Sequence, residues 1–119
     1  GAGTPQKGHQ PVLFIAMTEA EGAGAFADVD LGIAAHTLAT AAWEKGIGSC
    51  ILGNIKRDQI KELLDIPEAD NLRLVMAFGI PDHQAEVVDM KDGDVKYWRD
   101  ENGDYHVPKR PLEEIVRYK

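Results

Sequence analysis

Residues able to do chemistry fall into a few short groups. Gly46-Ile47-Gly48-Ser49-Cys50-Ile51-Leu52-Gly53 holds three glycines together with the only serine and the only cysteine of the chain. A dinucleotide fingerprint needs G-x-G-x-x-G between a strand and a helix, so that backbone can approach a pyrophosphate. Ile51 stands where the third glycine should be. The cluster also follows a predicted helix and enters a predicted strand, so the fingerprint fails twice. A P-loop fails for want of a Gly-Lys-Ser/Thr ending. Ser49 lacks the G-x-S-x-G surroundings of a nucleophile elbow. Cys50, followed by apolar Ile51 and Leu52 on a predicted strand, is expected to be a small buried hydrophobe rather than a reactive thiol.

His9, His36, His83 and His106 are scattered, with no i, i+4 pair and no H-x-H, which argues against zinc. Asp100-Glu101-Asn102-Gly103-Asp104 superficially suggests calcium. Its glycine is misplaced and no glutamate follows at the twelfth position, so a solvated turn is expected. Lys109-Arg110 is a basic pair between Pro108 and Pro111, at the expected mouth of a helix in an otherwise acidic chain. Backbone donors and cations together suit a phosphate group there; an ordinary surface pair is the alternative reading.

The elements that must position these groups fit 119 residues, enough for one compact domain or part of one. A net charge of -7 argues against broad binding to nucleic acid or anionic membranes. No apolar run approaches the ~20 residues of a membrane-spanning helix. A lone cysteine excludes an internal disulfide framework and favours a reducing, cytoplasmic home. The chain starts Gly1-Ala2-Gly3, without methionine and without a signal-peptide pattern. It therefore starts either with a cloning remnant or inside a longer protein.

Residues 1–10 are polar and rich in Gly and Pro, an arm or linker. Val12 to Met17 is an unbroken apolar run, expected to be a strand covered on both faces. After a small, Gly-rich loop, Asp28 or Asp30 is expected to cap a helix running to about Lys45. Leu31, Ala34, Ala35, Leu38, Ala41 and Ala42 form one apolar face, flat because five alanines fall between positions 34 and 42. That face suits a core helix or a subunit interface. Ser49 to Leu52 predicts a short buried strand. Asn54 is expected to cap a second helix through Ile60, Leu63 and Leu64 that stops before Pro67. Leu72 to Phe78 predicts a long strand. Asn102-Gly103 predicts a hairpin joining Val95–Trp98 to Tyr105–Val107, and Pro111 opens a short helix to Arg117. The elements read as α+β with one main sheet.

The order of these pieces resembles the nitroreductase family of flavin enzymes. The likeness runs through Asp30-Leu31-Gly32-Ile33-Ala34-Ala35-His36-Thr37-Leu38 and the Gly46 to Gly53 cluster. It continues through Leu63-Leu64-Asp65-Ile66-Pro67-Glu68 and Phe78-Gly79-Ile80-Pro81. Lys96 to Gly103 and His106 to Glu113 look like one subgroup of that family. The resemblance implies an α+β nitroreductase-like fold, with a central mixed or antiparallel sheet flanked by helices, across a single partial domain at residues 11–119. It implies an intertwined homodimer holding FMN at its interface, reduced by NADH or NADPH and reoxidised by a nitro compound, quinone or similar acceptor. By family pattern Ile51, Leu52, Gly53 and Asn54 line the isoalloxazine ring, with a backbone N–H near Gly53 facing the flavin N5. A glycine there leaves no Cβ between backbone and ring. Lys109 and Arg110 match the basic positions that hold the FMN phosphate.

Family members also carry an N-terminal helical segment with an Arg-Arg-Ser-type motif and a Ser/Asn-rich loop, which contact the flavin. Position 11 of this sequence already corresponds to a strand deep in that fold. Two functions are therefore open: a flavin-dependent reductase or a portion of one, and a shortened, non-catalytic nitroreductase-like domain for dimerisation or ligand binding.

Overall fold

A computed structural model describes residues 5–119. Gly1 to Thr4, the start of the expected arm, lie outside the described residues; residues 5–10 are exposed and in neither helix nor strand. The chain forms two compact units, one up to Ile80 and one from Pro81 to Lys119. In place of one main sheet, the described residues form two three-stranded sheets.

The first unit contains strand β1 (Leu13–Glu19), helix α1 (Ala27–Trp43), strand β2 (Gly48–Leu52), helix α2 (Arg57–Leu63) and strand β3 (Asn71–Gly79). The strand order is β1-β3-β2, with β3 antiparallel to both neighbours. β3 is the long apolar strand of the sequence reading, and its central place explains the burial of Leu72 and of Val75 to Phe78. Alternate residues of a strand point to opposite faces. Leu74, Met76 and Phe78 therefore share a face, and α1 packs there through Ala35, Ala39 and Ala42. These three alanines recur at helical spacing and let the helix lie close to the sheet. Met76 is 0% exposed. Met76→Ala is expected to cost about 2–5 kcal/mol through lost burial and a residual cavity, measured as a lower urea midpoint with unchanged slope.

The edge strands depart from expectation. Val12, Leu13 and Phe14 are exposed, because β1 pairs only with β3 and lies at the sheet margin. On α1 the face used is Ala35-Ala39-Ala42, not the whole predicted stripe. Ala34, Leu38 and Ala41 stay exposed, as do Val29, Ile33 and Trp43, the last at 66%. α1 is thus apolar well beyond its core contact. Phe26, not an aspartate, is its N-cap residue; Asp28 and Asp30 lie in the first turn, where negative charge opposes the positive end of the helix.

A shift of register between Met17 and Thr18 leaves Arg73 without a partner in β1. A bulge of this kind re-aims a side chain. The Arg73 guanidinium pairs with Glu19, at 2.9 Å, and with Asp28, tying the end of β1 to the first turn of α1. α2 begins at Arg57, with Lys56 rather than Asn54 at its N-cap. It ends at Leu63, ahead of Pro67 as expected.

The second unit holds strands β4 (Ala85–Asp89), β5 (Trp98–Arg99) and β6 (Tyr105–Lys109) and a four-residue helix α3 (Leu112–Ile115). β6 lies between β4, to which it is parallel, and β5, to which it is antiparallel. The predicted hairpin is present but short. Its turn is organised by Asp100, whose Oδ1 accepts the Asn102 and Asp104 N–H groups at 2.9 and 3.0 Å. Gly103 occupies the left-handed region at φ +88, which a glycine adopts without strain. Behind the turn, the His106 ring stacks on Trp98 and approaches Glu86 at 3.3 Å and Asp100 at 3.4 Å.

The Asp104 N–H is the main cause holding the Asp100 carboxyl below its ordinary value, with His106 and the Asn102 N–H adding to it against partial desolvation. A depressed carboxyl stabilises the folded form above its unfolded-state value of about 4 and loses that contribution as pH falls through the lower folded value. The hairpin is therefore expected to hold at pH 5 and to loosen only well below pH ~4. Amide protection at Asp104, whose N–H the carboxyl accepts, checks this when exchange is compared with the intrinsic rate, and Asp100→Ala should lose that protection at every pH.

Candidate functional site

Ile51 and Leu52 end β2, opposite Met76 and Val75 of β3. Gly53 and Asn54 then leave the sheet. Because β2 is an edge strand, this stretch is open on one side: Ile51 is 54% exposed, and Gly53 and Asn54 are exposed. A Cβ added at Gly53 would meet nothing within 4 Å. The chain itself therefore does not require glycine at this position, and the space beside it is free for a flat group.

The turn is held from behind by Arg57, which the sequence reading missed. Its Nη2 donates to the Gly53 carbonyl at 3.0 Å and to the Arg73 carbonyl at 3.1 Å. Its Nε donates to the Leu72 carbonyl at 3.0 Å. The pairing of β2 with β3 stops at Leu52 and Val75, so one guanidinium serves β3 carbonyls beyond the reach of β2. A rigid planar fork with several donors suits this task better than a lysine. Only proximity across 15 and 16 residues reveals it; the sequence shows merely an arginine at the start of a helix.

Cys50 is exposed, contrary to the expected buried thiol. It lies opposite Ala77 on edge strand β2, on the sheet face turned away from Met76 and α1. Among the described residues no group of three or more His, Cys, Asp or Glu side chains could hold a metal ion. Within the Asp100 to Asp104 segment, Asp100 Oδ1 accepts N–H groups of the hairpin turn, whereas Asp104 Oδ1 accepts the Gln84 N–H at 2.7 Å.

Lys109 ends β6 and Arg110 follows it; both are exposed. Among the described residues neither forms an ion pair. The helix that follows has four residues and carries Glu113 and Glu114 in its first turn. It offers no anion site, and Asp89 stands across from Lys109 in register. Any phosphate affinity here rests on the two cations alone. The structure thus gathers Ile51, Leu52, Gly53 and Asn54 into one turn of the first unit, whereas Lys109 and Arg110 belong to the second.

A family model described as the nitroreductase family matches residues 5–80. The chain belongs to the nitroreductase family. The match ends where the first unit ends, so the β2 turn lies inside it and Lys109 and Arg110 lie beyond it. Among solved structures the chain is similar to an FMN-dependent nitroreductase from Clostridium difficile R20291, at 24% identity and a TM-score of 0.51. The likeness covers 72% of this chain and 57% of that one, so this nitroreductase chain spans little more than half the length of that relative. It supports the α+β nitroreductase-like fold. No curated protein matches the sequence. Among the described residues no helix is long and apolar enough to cross a membrane.

Proposed function

We propose that this chain is part of an FMN-dependent oxidoreductase. The observation that carries the reading is the β2 turn: an exposed apolar Ile51 and a glycine whose missing Cβ faces open space, within a nitroreductase-family chain. When bound, FMN supplies hydride acceptance from NADH or NADPH and passage of the electrons to a nitro compound, quinone or similar acceptor. The protein's share is binding and orientation. Ile51 and Leu52 offer apolar surface to the isoalloxazine ring, Gly53 lets the backbone come close to it, and Asn54 closes the turn. Lys109 and Arg110 hold the FMN phosphate as charge-assisted donors.

The protein acts as a homodimer, a reading favoured by the exposed Val29, Ile33, Leu38 and Trp43 of α1. Apolar helix surface of this kind is covered in a working assembly. The same surface favours a second reading, a non-catalytic nitroreductase-like dimerisation or ligand-binding domain. A cytoplasmic location fits either.

A visible absorption spectrum of the purified chain, repeated after denaturation, separates the two. Release of close to one FMN per chain supports the oxidoreductase, and oxidation of NAD(P)H with an added acceptor should then follow. A colourless chain that stays apo when FMN is added overturns it in favour of the second reading.

A further inference from the structure

We infer that Arg57 is a positioning residue that aims the Asn54 N–H outward as the backbone donor to the flavin; the inference rests on the FMN reading above. A trans peptide is planar, with its C=O and N–H on opposite sides, and no cis peptide bond is present among the described residues. Arg57 Nη2 holds the Gly53 carbonyl at 3.0 Å, while Nε and Nη2 anchor the same guanidinium to the Leu72 and Arg73 carbonyls at the start of β3. The Gly53 oxygen is thereby turned toward Arg57. The N–H of the same peptide, which belongs to Asn54, must point the other way. Asn54 is exposed and its N–H meets no acceptor among the described residues. Beside this exposed residue, the space at the Gly53 Cβ position is free for a flat ring. Fixing such a donor before the ligand arrives saves the ordering cost of binding.

Asn54 itself is one of the residues assigned to the flavin site, whereas Arg57 acts only through the peptide it holds. Arg57→Lys keeps the charge but cannot hold three carbonyls with a fixed fork. Two measurements on the full chain test the role. The first needs no flavin: ¹⁵N relaxation of the Asn54 amide should give an order parameter near 0.85 in the wild type and below about 0.6 in Arg57→Lys. The second is an FMN titration followed by amide exchange. Asn54 should exchange at least about tenfold more slowly in the wild-type complex, and Arg57→Lys should lose that protection and about tenfold in affinity.

A rigid Asn54 amide that loosens in Arg57→Lys, in a chain that never binds FMN, defeats the flavin reading but leaves the clamp standing. FMN binding with no protection of Asn54, or with equal protection in Arg57→Lys, overturns the inference while the flavin reading survives. Should Arg57→Lys fail to fold, Asn54→Pro removes the donor and leaves the clamp in place. Unchanged FMN affinity in that variant overturns the inference; a loss of about tenfold supports it.

Discussion

Replacing Gly53 with valine is expected to lower FMN affinity by roughly a hundredfold or more, equivalent to about 3 kcal/mol, while leaving the chain at least as stable as before. The two halves of this result come from one observation. Among the described residues nothing lies within 4 Å of a Cβ built at Gly53 beyond its chain neighbours, so the Cβ that valine brings meets no clash. The φ of Gly53 is not among the positive values, and the introduced valine restricts the unfolded chain, which adds up to about 1 kcal/mol of stability. The branched side chain projects into the open space at the end of β2, which on the proposed reading is where the flavin ring approaches at van der Waals distance. Thermal unfolding and an FMN titration of the same sample decide it. Valine at 53 with wild-type FMN affinity removes this turn from the ring, whatever else the chain binds.

The second large effect belongs to the basic pair. Lys109→Ala combined with Arg110→Ala is expected to weaken FMN binding by about a hundredfold, because each bond from a cation to phosphate contributes about 1.5–3 kcal/mol and exposure holds the sum near the lower end. The four-residue α3 adds nothing, and Asp89, Glu113 and Glu114 oppose an anion. The pair is therefore indispensable if it is the phosphate site. Riboflavin lacks the phosphate and supplies the control: its affinity should be the same in wild type and double variant. FMN binding should also weaken with salt in the wild type and much less in the variant. A loss below about threefold in FMN affinity, or an equal loss for riboflavin, takes Lys109 and Arg110 out of the site.

How much of this was legible beforehand differs between β3 and the strands beside it. Leu72 to Phe78 is apolar at nearly every position, and at the centre of the sheet its side chains are flanked by those of β1 on one side and β2 on the other. Composition and position therefore agree for β3. Val12 to Met17 and Ser49 to Leu52 carry similar composition, yet they are edge strands with exposed residues. Apolar content marks a strand but does not say which place in the sheet it takes; strand order depends on contacts distant in sequence. The same ambiguity reversed the expectation for Cys50. Helix caps failed for a related reason, since an aspartate near a helix start can sit one turn inside it and act on the dipole instead.

Sequence alone determined the strands and helices of local origin: the hairpin at Asn102-Gly103, the stop of α2 before Pro67, the alanine-rich helix and the family motifs around Gly53. These follow from steric preferences of single residues and from periodicity, which act over a few positions. Only the tertiary structure decided that the residues fall into two units with a sheet each, that Gly53 stands beside open space, and that Arg57 spans from α2 to β3 to hold that turn. These are through-space facts. A guanidinium finds carbonyls 15 residues away only after β3 has been placed between β1 and β2, and no local pattern encodes that placement.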